Sequence, residues 1–124
     1  MNKWKSFALV VTLSLVVTAL DAQTGKIAAA EAKNHIGERA TVCGTVVSVH
    51  YASGSRGQPT FLNLDEPYPR QIFTILIWGR DRGKFGDVES KYRDADVCVT
   101  GKITEYRGSP ETVANEPGQI EIQK

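Results

Sequence analysis

The chain has 124 residues, room for one domain and not for two. Fifteen Lys and Arg against fourteen Asp and Glu give a formal net charge of +1, which argues against indiscriminate binding to nucleic acid through bulk charge.

The N-terminus reads as a secretory leader. Lys3 and Lys5 supply a basic start, Phe7 to Leu20 runs fourteen residues without a charge, and small residues stand at Ala19 and Ala22. The apolar run is shorter than the roughly 20 residues of a spanning helix. Cleavage after Ala19 and after Ala22 both satisfy the pattern, and no cysteine lies nearby to carry a lipid. The expected division is a signal peptide over 1–22 and one folded domain over 23–124. The expected location is the periplasm or the medium, with no stable membrane insertion after cleavage. The leader takes Lys3, Lys5 and Asp21 with it, which leaves thirteen charges of each sign.

Beyond the leader, residues 26–35 are alanine-rich and predict a short helix stopped at Gly37. From Arg39 the hydrophobic period becomes two. Ala40, Val42, Gly44 and Val46 share one face, and Arg39, Thr41, Cys43 and Thr45 the other, along a strand that runs to about Tyr51. Gly44 inside it marks a bend or bulge. A Gly/Ser-rich loop over 52–59 leads to a second strand, Thr60–Leu64, and a turn containing Pro67, Tyr68 and Pro69. The third strand, 71–78, is the most apolar piece, with Phe73, Ile75 and Ile77 on one side and Ile72, Thr74, Leu76 and Trp78 on the other. Residues 79–94 read as a polar loop holding one short helix, Val88–Tyr92. A fourth strand over 96–106 turns Val97, Val99, Gly101 and Ile103 inward, with Cys98, Thr100 and Lys102 outward. After a turn at Arg107-Gly108-Ser109-Pro110, a fifth strand is broken into 111–114 and 119–122.

Cys43 and Cys98 sit in near-copied settings, Thr41-Val42-Cys43-Gly44 and Asp96-Val97-Cys98-Val99, at equivalent outward positions. An even cysteine count in a small exported domain favours a disulfide if the two strands are neighbours. Two free thiols on the surface are the alternative. The only histidines are His35 and His50, and counting parity straight along the first strand sets His50 opposite Cys43. No Cys/His spacing fits zinc and no nucleophile–base constellation is present, so neither a metal, a cofactor nor an enzyme is expected.

Five strands, matched glycines in the first and fourth, and a connector between the third and fourth describe an all-β, five-stranded OB-fold Greek-key barrel with a short N-terminal helix. The stretch from Ala28 to Ile122 also resembles the stand-alone OB-fold proteins exported by bacteria and the OB modules found beside secreted nucleases. The residues carrying the resemblance include Ala40-Thr41-Val42-Cys43-Gly44, Gly57-Gln58-Pro59-Thr60-Phe61-Leu62-Asn63-Leu64, Phe73-Thr74-Ile75-Leu76-Ile77-Trp78-Gly79 and Val97-Cys98-Val99-Thr100-Gly101-Lys102-Ile103. Residues 111–116 depart from it, because such modules carry a more β-branched strand there. The resemblance implies a binding module whose ligand is single-stranded DNA or RNA, with an exported nuclease or an envelope protein as a partner.

An OB barrel binds ligands across its strand 2–3 face, framed by the loops joining strands one to two and four to five. Aromatic rings serve as platforms for bases and cations hold phosphates. The candidates are Tyr51, Arg56, Phe61, Tyr68, Trp78, Arg80, Arg82, Lys84, Tyr106 and Arg107. Each has a plainer reading. Phe61 beside Leu62 and Leu64 also suits the core, and Trp78 also suits a lid over the connector. Arg80, Arg82 and Lys84, broken by Asp81, also suit a solvated loop, and Tyr106-Arg107 also suits a hairpin end. Tyr68 between two prolines reads as a packed turn. The rival function is protein interaction or an envelope-structural role, supported by the balanced charge. A small-ligand or oligosaccharide site is the weaker third.

Overall fold

A computed structural model describes residues 25–124, with Thr12 and Ser14 from the preceding stretch. Apart from those two, the expected signal peptide and both cleavage positions lie outside the described residues. Among the described residues, no helix is long and apolar enough to cross a membrane.

Eight strands form the domain: β1 (Lys26–Ala28), β2 (Arg39–Tyr51), β3 (Thr60–Leu64), β4 (Phe73–Ile77), β5 (Asp96–Lys102), β6 (Thr104–Tyr106), β7 (Ser109–Val113) and β8 (Ile120–Ile122). The long β2 serves two partners. Its first half pairs antiparallel with β5, Arg39 opposite Lys102 to Thr45 opposite Asp96, and its second half pairs with β3. β3 pairs with β4, β4 runs parallel to β7, and β7 pairs with β6. β5 passes through Ile103 into β6, so the path returns to β2 and closes a barrel. Five-strand closure with one long shared first strand is the OB fold.

Alternation explains the core. Val42, Val46, Leu62, Leu64, Phe73, Ile75, Ile77, Val97, Val99 and Ile103 are fully buried and meet inside the barrel. Between Val46 and Ser48 the β2–β3 register shifts, a bulge that flips parity, so that Val49 rather than Ser48 points inward. The bend therefore lies beyond Gly44. Gly44 is needed for a close approach instead: a Cβ there would meet Leu64 Cβ at 3.2 Å and Asp65 Oδ1 at 2.9 Å. The bulge also corrects the parity of His50, which points outward, as Cys43 does.

The expected N-terminal helix is partly replaced. Lys26–Ala28 is a strand parallel to β2, and only Ala29–Asn34 is helical, as a 3-10 turn that buries Ala29 and Ala32. Alanine's helix preference is a weak local bias that edge pairing with β2 overrides. The fourth strand breaks at Ile103, whose N–H donates to the Glu38 carbonyl (2.8 Å) and whose carbonyl accepts from Gly37 N–H (2.7 Å). Those two bonds turn the chain from one side of the barrel to the other.

In the connector, α1 (Gly79–Arg82) and a 3-10 turn (Gly83–Phe85) occupy what reads as loop, drawn in by the buried Phe85. The helix α2 (Val88–Tyr92) is present where the sequence puts it. Asp87 caps it, accepting from Ser90 N–H (3.2 Å) and the Ser90 hydroxyl (2.8 Å), and these bonds hold its carboxyl below the ordinary range. The fifth strand begins earlier than expected, at Ser109, and takes in Pro110.

Cys43 and Cys98 stand directly opposite in the β2–β5 ladder, Cα atoms 4.0 Å apart, and are joined by a disulfide.

Candidate ligand-binding groove

The outer face of β2, β3, β4 and β7 forms the floor of an open groove of about 1340 Å³. Register assigns the floor to two rows. One is polar: Ser48 lies opposite Asn63, Asn63 opposite Thr74, and Thr74 opposite Glu111. Thr74 Oγ1 donates to Asn63 Oδ1 (3.2 Å), and Asn63 Nδ2 donates to Ser48 Oγ (3.0 Å). These bonds lock the amide of a residue only 3% exposed. Glu111, half-buried at the end of the row, has its carboxyl pushed up by desolvation. The second row is aromatic: His50 lies opposite Phe61, their rings stacked with centroids 6.2 Å apart and planes 8° from parallel.

Two turns frame this floor. One is the β3–β4 turn, with Tyr68, 75% exposed, beside cis-Pro69. The other is the β6–β7 hairpin, which stands at the same end of the strands because β7 runs parallel to β4. Tyr106 is 56% exposed and Arg107 is at its tip, the guanidinium 5.3 Å from the Tyr106 ring centroid. Arg107 and Gly108 both have positive φ, 50° and 80°, the pattern of a two-residue type I′ turn. Lys33 adds a cation from the 3-10 turn.

The sequence candidates separate into three places. Phe61, Tyr106 and Arg107 line the groove. Trp78 and Arg80 line a neighbouring hollow of about 540 Å³ with Gly57 and Gln58, joined to the groove by the shared Ser55. The Trp78 indole lies against Gly57, where a Cβ would meet the ring at 2.9 Å, so it braces the β2–β3 loop. Arg56 is exposed in that loop.

Tyr51, Arg82 and Lys84 lie elsewhere. Tyr51 pairs with Thr60 on the alternate side of the strands from the groove, and Arg82 stacks 3.9 Å over its ring while donating to Thr60 Oγ1. Lys84 is bound to Glu116 (2.9 Å) and Asp81 (3.2 Å), hydrogen bonds that raise its pKa, Glu116 contributing most. The basic run in the connector is therefore divided between a hollow, a ring and a pair of carboxylates.

His50, Ser48, Asn63, Thr74, Glu111 and Lys33 join the groove without having been singled out for binding, and Tyr68, a candidate whose plainer reading is a packed turn, lines it too. Asn63 and Phe61 were legible, since inward Leu62 and Leu64 force both outward. His50 was hidden by the bulge, and Tyr68 faces the groove rather than packing away.

No family model matches the sequence, and no curated protein matches it. Solved structures do. The OBody AM1L10 bound to hen egg-white lysozyme superposes with a TM-score of 0.54 at 18% identity, over 78% of this chain and 91% of that one. The S. pombe Stn1–Ten1 complex gives 0.51 at 19%, over 70% of this chain and 60% of that one. The Entamoeba histolytica asparaginyl-tRNA synthetase gives 0.54 at 17%, over 80% of this chain and 23% of that one. At these identities the shared property is the fold.

Proposed function

We propose that this is an exported module that binds single-stranded nucleic acid along the groove, acting by binding rather than by catalysis. The observation that carries the reading is one open face holding a stacked ring pair beside a hydrogen-bonded polar row, framed by two exposed tyrosines. Bases stack on Phe61, Tyr68 and Tyr106, and phosphates meet Lys33 and Arg107. The face is the one on which OB barrels hold extended ligands. Export to the periplasm or medium is part of the proposal, supported by the leader pattern and by the cysteines paired across β2 and β5. An exported nuclease working on the same strand fits as a partner.

The test is fluorescence anisotropy with short labelled DNA and RNA strands at low salt. Phe61→Ala is expected to weaken binding about tenfold, the effect of removing one stacking platform. Failure of the wild-type protein to bind either strand overturns the reading. A second reading, protein docking through the same face, is supported by the balanced charge of residues 23–124 and by the OBody, which is bound to lysozyme. One stoichiometric partner from an envelope extract, released by Phe61→Ala, would favour it.

A further inference from the structure

Among the described residues lining the groove, Glu111 is the only acid. It makes no ion pair with any described residue, although Lys33 and Arg107 line the same groove. Its position is set by register. Thr104 lies opposite Glu111 and Tyr106 opposite Ser109, so Tyr106 and Glu111 are diagonal cross-strand neighbours, with Cα atoms about 7–8 Å apart. The hydrogen-bond directions in the polar row give it a polarity. Thr74 spends its proton on Asn63 and offers only lone pairs, while an ionised Glu111 only accepts. The β4–β7 end of the floor is therefore an acceptor surface beside an exposed ring.

An acceptor surface next to a stacking platform discriminates among bases. Guanine alone presents two adjacent donors on its Watson–Crick edge, N1–H and the N2 amine, which match the two oxygens of one carboxylate. Adenine and cytosine pair a single amine with a ring-nitrogen lone pair. Thymine and uracil flank their one N–H with two carbonyls, which repel an anion. In a single strand this edge is free to be read. The carboxylate also turns phosphates away from this wall and toward Lys33 and Arg107.

We propose that Glu111 makes the groove selective for guanine, its carboxylate accepting from N1–H and N2–H of a base stacked on Tyr106; this rests on the nucleic-acid reading above. The test measures anisotropy of labelled octathymidine against the same strand carrying one central guanine, adenine, cytosine or hypoxanthine. The guanine strand should bind about tenfold tighter than octathymidine, the scale of one good bidentate base contact. The hypoxanthine strand, which keeps N1–H and lacks the N2 amine, should fall between. In Glu111→Gln, checked for an unchanged melting transition, the guanine-to-thymine affinity ratio should fall toward one. Equal binding of all five strands by the wild-type protein overturns the proposal and leaves the nucleic-acid reading standing. So does a hypoxanthine strand bound as tightly as guanine, a comparison that needs no variant. Absence of binding to every strand overturns the nucleic-acid reading and this inference with it.

Discussion

Arg107 holds φ at 50° at the tip of the β6–β7 hairpin, where a type I′ turn favours Asn or Gly and a long side chain is disfavoured. The left-handed conformation costs an ordinary residue about 1–2 kcal/mol. The same residue places its guanidinium beside Tyr106 at the rim of the groove, so the strained position holds the group suited to a phosphate. Strain held at a binding rim makes a two-sided prediction. Arg107→Asn, which suits the first turn position, should stabilise the fold by about 1 kcal/mol, read as a raised midpoint in urea. The same substitution should weaken binding to a single strand several-fold at low salt. A variant that gains stability without losing affinity would assign Arg107 no part in binding.

Among the elements, β2 carries the most, since it closes the barrel against β5 and forms the groove floor against β3. The Cys43–Cys98 bridge ties β2 to β5 across a sequence separation of 55. Closing a loop of that length lowers the entropy of the unfolded chain and stabilises by about 4 kcal/mol. Replacing both cysteines by alanine should cost that much in denaturant unfolding. Because the bridge lies outside the groove, the folded variant should bind as the native protein does. Modification of both thiols by an alkylating agent without reductant would show that they are not joined.

The same elements show what the sequence made legible. Alternation in 39–46 and 96–103 reveals inward and outward faces, and the disulfide follows from matched outward cysteines on neighbouring strands. Positions depending on register between strands could not be read this way. The bulge after Val46 moves His50 onto the groove face. Glu111 becomes a floor residue only because β7 lies parallel to β4 with Thr74 opposite it. The connector misleads for a related reason: Arg80, Arg82 and Lys84 look like a basic strip, yet Asp81 pairs with Arg80 and Lys84, Glu116 also holds Lys84, and the Tyr51 ring takes up Arg82. The alanine run at 26–35 shows local propensity losing to an available strand edge.

At the scale of the whole molecule, fifteen basic residues stand against fourteen acidic ones, and residues 23–124 hold thirteen of each, so no general field draws a polyanion to the surface. Whatever salt dependence exists must come from the few cations at the groove. Lys33 and Arg107 line it, and Arg56 stands exposed in the β2–β3 loop that borders it. For single strands, log K falls against log salt with a slope of about −0.7 per neutralised phosphate. Two contacts give a slope of about −1.4 and three give about −2.1. The affinity is therefore expected to fall about sevenfold to about twentyfold between 50 and 200 mM salt, a dependence shallow enough for stacking to dominate. Removing Arg107 should lower the slope by about 0.7, whereas Phe61→Ala should lower affinity at every salt and leave the slope alone. A slope steeper than about −4 would require a basic path that the groove does not contain. A measurable affinity with no salt dependence would shift the site toward an uncharged or protein ligand held on the same rings.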